Sequence, residues 1–453
     1  MIRDPDTYPA FLAQLRRFVQ QRLVPREAEV ASRDEVPADL VKEMADIGLF
    51  GFSIPESYGG AGMTTEELVL AAIELSQCSV AFRARVGTNT GIGSEALVAD
   101  GTPEQKQRYL PRLASGEITG SFALTEPEAG SDATALTTSA RRDGDHYLIN
   151  GTKCFITNAP IAGLFTVMAR TDPDTTGASG ISAFLVERDT PGLSTGPAYR
   201  KMGQEGSPVS EVHFDNCRVP AANLIGGVEG QGFRTAMKVL NKQRIHLSAL
   251  CIGPAIRMLD DAIRFVSTRK QFGEPLSSFQ LVQAMIADCQ TEIHAARALV
   301  LETARQRDRG EDVTMQLRSA STSPRRCADA SPTAACRCSA ATAISPTTAS
   351  SASIATCGCS ACTRAPARSI SSISPSARWR RPAPDLRAAA EKTQQETPCS
   401  RPLSPRWRWR SAPPCSPARP TPKRPTPASQ SGWWCRLHRA VRPTSWRACS
   451  PIG

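Results

Sequence analysis

The chain predicts an α+β protein built in series: a helical part, a β-rich middle, a second helical part and a tail of different character. Three observations carry this. Apolar residues recur at helical spacing to about residue 118, alternate in strand fashion to about 226, then return to helical spacing until 316. Thr, Pro, Asp and Gly punctuate the segment ends. Beyond 316 periodicity stops and Ser, Ala, Pro, Arg and Cys dominate. The expected divisions are an N-terminal helical domain (1–118), a middle β domain (119–226), a partial C-terminal helical domain (227–316) and a basic low-complexity tail (317–453).

In the first part, Phe11, Leu12, Leu15, Phe18 and Val19 form one helical stripe. Pro37 marks a helix start and Gly48 its end. Thr64 and Thr65 are N-cap candidates with acids in the first turn. Thr102 repeats the device, with Pro103 at the first position and Glu104 after it. In the middle, HYLINGTKCFITNA alternates like a strand, and Asn150–Gly151 reads as a hairpin turn within it. FTVMAR, ISAFLVER and SEVHFDNCRV are further strands. After Gly230 two long helical patterns follow, the second stopping at Gly310.

With 453 residues, two or three domains and a large core are expected. The net charge of +11 is an average over two unlike parts. Residues 1–316 hold 32 of the 54 Lys/Arg and 39 of the 43 acids, about −7. Residues 317–453 hold 22 Lys/Arg and four acids, about +18. The tail also holds ten of fifteen cysteines and all six tryptophans, with no Phe or Tyr. That is neither ordinary globular nor ordinary disordered composition. No apolar run reaches about 18 residues, so a membrane span is not expected. The opening MIRDPDTYPAFLAQ lacks the apolar core of a signal peptide, and a cytoplasmic protein is expected.

Helices, strands, then helices, with FALTEPEAGSD (122–132) opening the β part: here the chain resembles the acyl-CoA dehydrogenase family. IPESYGGAG (54–62), KCFITN (153–158), FDNCRVP (214–220) and RKQFGEPLSSFQ (269–280) extend the match over essentially all of 1–316. The resemblance implies an FAD enzyme that desaturates an acyl-CoA to a trans-2-enoyl-CoA. The electrons would pass to an electron-transfer flavoprotein. It implies that Phe122, Leu124, Thr125, Phe155, Ile156 and Thr157 line the flavin, and that Ser131, Asn241 and Arg244 meet the acyl-CoA. Arg269, Phe272 and Gln280 would reach the FAD of a neighbouring subunit, implying a homotetramer. A guanidinium suits that pyrophosphate, because it forks across two anionic oxygens. Without the family, TEPEAGSD reads as a plain turn, Thr157 as an outward strand residue, and Arg269 as a solvated helix end.

One subgroup of the family carries its catalytic Glu just before the Arg of the segment matching NKQR (241–244). This chain has Gln243 there, and an amide cannot serve as a carboxylate base. The resemblance then places the base in a Tyr-Glu-Gly-Thr segment near the C-terminus. That segment and a Gly-Gly-x-Gly turn that helps hold FAD are absent. Reading the tail's codons one base out of phase, codon choices exist from Leu317 to about Ala377 that spell both, at family spacing. The lost Glu codon would straddle Thr363 and Arg364. A change of reading frame near Gln316–Leu317 is therefore expected. No catalytic residue is assigned, and an impaired enzyme with exposed apolar helix faces is anticipated. The alternative is a catalytically dead flavin-fold remnant whose basic tail sticks to polyanions.

The other readings of the tail are weaker. The cysteines Cys336, Cys338, Cys357, Cys359 and Cys362 fit no closed zinc site, and no metal is expected. A disulfide framework does not suit a cytosolic body. The stretch RWRWR (406–410) would otherwise suggest nucleic-acid or membrane contact; no specific nucleic acid is expected.

Overall fold

The structure is a computed structural model that describes residues 2–313 and 316. The first helix, α1 (Tyr8–Phe18), passes into a π-helical turn at Val19–Leu23. It is followed by α2 (Glu27–Arg33), α3 (Ala38–Asp46), α4 (Thr65–Leu75), α5 (Val80–Gly87), α6 (Glu95–Asp100) and α7 (Pro103–Ala114). The predicted caps form. Thr64 and Thr102 each close a capping box, with Glu67 and Gln105 as the reciprocal partners. Leu15 and Val19 of the predicted stripe are buried against Leu40, Met44 and Phe82.

The middle domain is one seven-stranded sheet. Its strands are β1 (Gly120–Ala123), β2 (Ser139–Asp143), β3 (His146–Thr157), β4 (Leu164–Arg170), β5 (Ile181–Glu187), β6 (Leu193–Thr195) and β7 (Val209–Pro220). The order is β1-β4-β2-β3-β7-β6, with β5 also pairing β4. The expected turn at Asn150–Gly151 does not occur. The hairpin turns at Gly144 (φ 61°), and β3 runs unbroken through both residues. Instead, the register with β7 shifts between Ile149 and Gly151. The dipeptide makes a bulge, because Gly151 adopts φ 146° and a Cβ there would fall 2.6 Å from Thr138 Oγ1.

Two long helices complete the described chain: α8 (Gly232–Thr268) and α9 (Gln280–Asp308). Between them lies a small hairpin, β8 (Lys270–Gln271) and β9 (Glu274–Pro275), turning through Phe272 and Gly273 at positive φ. Helix α4 is buried along nearly its whole length between α1, α8 and α9. Its acids are matched from the surrounding elements: Glu74 by Arg16 at 2.5 Å, Glu67 by Arg3 at 3.2 Å and Glu66 by Arg305 at 2.7 Å. Asp308, from the far end of α9, accepts the first two amide hydrogens of α4 at 2.9 and 3.0 Å. The two long helices share a core with α4 through Ile73, Ile252, Ile293 and Val300. Some apolar side chains on them stay outside, Leu247 at 40% and Leu281 at 79% exposure.

Candidate functional site

Strand β1 runs into the loop 124–131, and the end of β3 lies beside it. Cys154 donates its amide hydrogen to the Thr125 carbonyl at 2.9 Å, and the Ser121 hydroxyl donates to the Thr157 carbonyl at 2.8 Å. These bonds bring the two sequence motifs, 122–131 and 153–158, together on one face. Phe122, Leu124 and Ile156 are buried beneath it. Thr125 and Thr157 are half-buried, and among the described residues neither hydroxyl has a recorded hydrogen-bond partner. Ser131 is exposed at the rim.

Phe155 is the unusual residue of this face. Its backbone sits at φ 58°, where β3 loses register with β7 between Lys153 and Ile156. An aromatic residue at positive φ is uncommon and persists where the surroundings demand it. The bulge turns the ring outward, 57% exposed, with Tyr199 beside it at 5.5 Å between centroids. A planar ring exposed beside two unclaimed hydroxyls fits a flat heteroaromatic group with polar edges, as an isoalloxazine has.

Sequence reasoning missed what holds this face. Lys153, fully buried, donates to the Leu124 carbonyl at 3.1 Å and to Glu126 Oε1 at 2.8 Å. Glu126 also accepts from the Thr137 amide at 2.6 Å, the Thr137 hydroxyl at 2.9 Å and the Thr138 amide at 2.9 Å. The pair thus pins the loop after β1 to both β3 and the chain entering β2. The signal was available: a lysine at an inward position of an apolar alternation, and a glutamate inside TEPEAGSD. Burial by itself raises the Glu126 pKa, but Lys153 and the amide donors outweigh it and hold the carboxyl far below its usual range. Burial draws Lys153 downward, opposed by Glu126.

A pH dependence follows. Glu126 is held below its unfolded value, so its stabilisation is complete above about pH 4.5 and is lost as pH falls toward about 2. The urea midpoint followed by far-UV circular dichroism is expected to fall across that window. In Glu126→Gln the same interval should show a visibly flatter decline; an unchanged slope would contradict the assignment.

The remaining candidates lie elsewhere. Asn241 and Arg244 are exposed on α8. Arg269 and Gln280 are exposed at the ends of the long helices, and Phe272 is 94% exposed at the tip of the small hairpin, edge-on to Phe279 at 6.1 Å. The hairpin and the turn after it pack on α8 and α9. Thr363, Arg364, the clustered tail cysteines and RWRWR lie outside the described residues. Among the described residues no group of three or more His, Cys, Asp or Glu could hold a metal, and no helix is long and apolar enough to cross a membrane.

Comparison with known proteins identifies this architecture. Models of the acyl-CoA dehydrogenase N-terminal, middle and C-terminal domains match residues 5–117, 121–217 and 230–323. The chain is 42% identical over 296 residues to an acyl-CoA dehydrogenase of Bacillus subtilis (strain 168), covering 65% of this chain and 78% of that protein. It superposes on butyryl-CoA dehydrogenase from Megasphaera elsdenii with a TM-score of 0.76 and 31% identity, over 79% of this chain and 94% of that one. A glutaryl-CoA dehydrogenase in complex with glutaryl-CoA gives 0.74 and 31%, over 78% and 90%. The chain belongs to the acyl-CoA dehydrogenase family, an oxidoreductase family.

Proposed function

We propose that this chain carries the framework of an FAD-dependent acyl-CoA dehydrogenase whose catalytic base has been lost from residues 317–453. The observation that carries the flavin reading is the face formed by Thr125, Phe155 and Thr157. Phe155 would cover the flavin ring, and the two hydroxyls would bond its polar edge. Phe122, Leu124 and Ile156 form the dry floor. FAD, when bound, would accept the hydride leaving the β-carbon of the acyl group and deliver the electrons to an electron-transfer flavoprotein. The residues of this chain contribute proximity and the exclusion of water.

Ser131, Asn241 and Arg244 are proposed to position the acyl-CoA, as the resemblance implies. Gln243 lies among them and has no carboxylate to take the α-proton. Arg269, Phe272 and Gln280 are exposed together at one end of the helical domain, which supports a role toward the FAD of a neighbouring subunit in a homotetramer. An apolar ring 94% exposed is costly unless something covers it. The five cysteines of the described region are all buried thiols outside any disulfide, which favours a reducing, cytoplasmic setting.

The loss of the base is inferred from the reading-frame argument. It is supported by where similarity ends: the C-terminal domain match stops at 323, and the aligned Bacillus relative is covered only to 78%. Flavin titration tests the flavin face on the chain as it stands. Quenching of FAD fluorescence is expected to report saturable binding, weakened about tenfold or more by Phe155→Ala or by Thr125→Val with Thr157→Val. Equal affinity in all variants would remove these residues from the flavin site.

A further inference from the structure

The register shift that exposes Phe155 leaves one residue of β7 opposite two of β3. Lys153 pairs with Val212 and Ile156 with Ser210, so Cys154 and Phe155 together face Glu211. A bulge of this kind breaks the ladder and re-aims the side chain it carries. A phenylalanine at positive φ relaxes to extended backbone unless other groups fix it. The less buried face of β7, which carries Glu211 and His213, supplies such groups.

Glu211 is the centre of a short polar chain. The Tyr199 hydroxyl donates to Glu211 Oε1 at 3.2 Å. His213 Nε2 lies 3.4 Å from Glu211 Oε2, and its Nδ1 lies 3.3 Å from the Thr152 hydroxyl. The backbone around Tyr199 is fixed to the same strand. The Tyr199 amide donates to the Val209 carbonyl at 2.8 Å, and the Gly196 amide donates to the Glu211 carbonyl at 3.1 Å. The Tyr199 ring meets that of Phe155 at 52° between planes. Burial and the Glu211 charge push the Tyr199 hydroxyl up to about 12, opposed by the Phe155 amide, which donates to its oxygen. The protonated hydroxyl can give its hydrogen to Glu211 while its oxygen takes the amide hydrogen of the bulge. Tyr199 therefore engages Phe155 twice, at the strained backbone and at the exposed ring.

We propose that Tyr199 and Glu211 are positioning residues that hold Phe155 in its outward conformation, with the ring already set to cover the flavin. This rests on the flavin reading above. FAD then meets a face arranged in advance, and no ring has to be turned out and ordered on binding. A merely structural tie would affect FAD binding whether or not the Phe155 ring is present; a positioning role disappears with the ring.

The test joins FAD fluorescence titration to amide hydrogen exchange of the full chain, read by mass spectrometry over residues 153–157. Tyr199→Phe keeps the ring and removes the hydroxyl, Glu211→Ala removes the acceptor, and Glu211→Gln keeps one. Tyr199→Phe and Glu211→Ala are expected to speed exchange over 153–157 and to weaken FAD binding about three- to tenfold, with Glu211→Gln close to the unaltered chain. In a Phe155→Ala background, Tyr199→Phe should weaken FAD binding by less than about twofold further. Circular dichroism verifies that each variant is folded. Equal weakening in both backgrounds, or faster exchange with no change in FAD affinity, overturns the positioning role and leaves the flavin reading standing. Unchanged exchange in both variants overturns the hold on the bulge. If Phe155→Ala itself leaves FAD binding unchanged, or no FAD binds, the flavin reading falls and takes the ligand half of the proposal with it; the exchange rates then decide the hold on the bulge alone.

Discussion

Restoring one reading frame across codons 316–317 is expected to turn this chain into a competent dehydrogenase. The restored protein, loaded with FAD, should be bleached by a suitable acyl-CoA under anaerobic conditions at least about 10²- to 10⁴-fold faster than the chain as written. That range is the usual contribution of a general base alone. The true gap should be wider, because the Gly-Gly-x-Gly turn and the rest of the C-terminal helices return with the Glu. The first measurement is the DNA sequence over codons 305–380, in the genome and in the expression plasmid. A continuous genomic frame makes the tail an artefact of one base; a shift in the genome makes this a decayed gene. Equal rates before and after restoration would refute the loss of the base. The rival reading, a flavin-fold remnant with a sticky tail, makes a different forecast. About +18 of charge beyond residue 316 should bind polyanions with a steep salt dependence. A salt-insensitive, sequence-selective affinity for nucleic acid would point to a dedicated binding function instead.

Lys153→Met is expected to be the most damaging single substitution near the proposed flavin face. It leaves Glu126 buried beside the Leu124 carbonyl with no cation, and breaking one half of a buried pair costs about 3–5 kcal/mol. The urea midpoint should drop accordingly. FAD affinity should drop with it, because the loop carrying Thr125 loses its tie to β3. The double variant Glu126→Gln with Lys153→Met should recover part of the stability, since no uncompensated charge remains. Less than about 1 kcal/mol of loss in Lys153→Met would show that the pair does not hold the loop.

The domain series was legible because period is a local property. Helical spacing before 118 and after 230, and alternation between, reflect which face each segment must bury, and each segment carries that record itself. Caps were legible for the same reason: Thr64 and Thr102 bond amides only three residues away. The flavin motifs were found by resemblance, and so was the expectation that 122–131 and 153–158 share a site. What the sequence could not determine depends on residues far apart in the chain. Asn150–Gly151 has the composition of a hairpin turn, yet the close approach of Thr138 makes it a bulge. Phe155 could have faced inward with its alternating neighbours; a register shift against β7, some fifty residues on, turned it out. Lys153 meets Glu126 across 27 positions. That pairing is decided by burial, because a charge taken from water must find a partner wherever the tertiary packing supplies one.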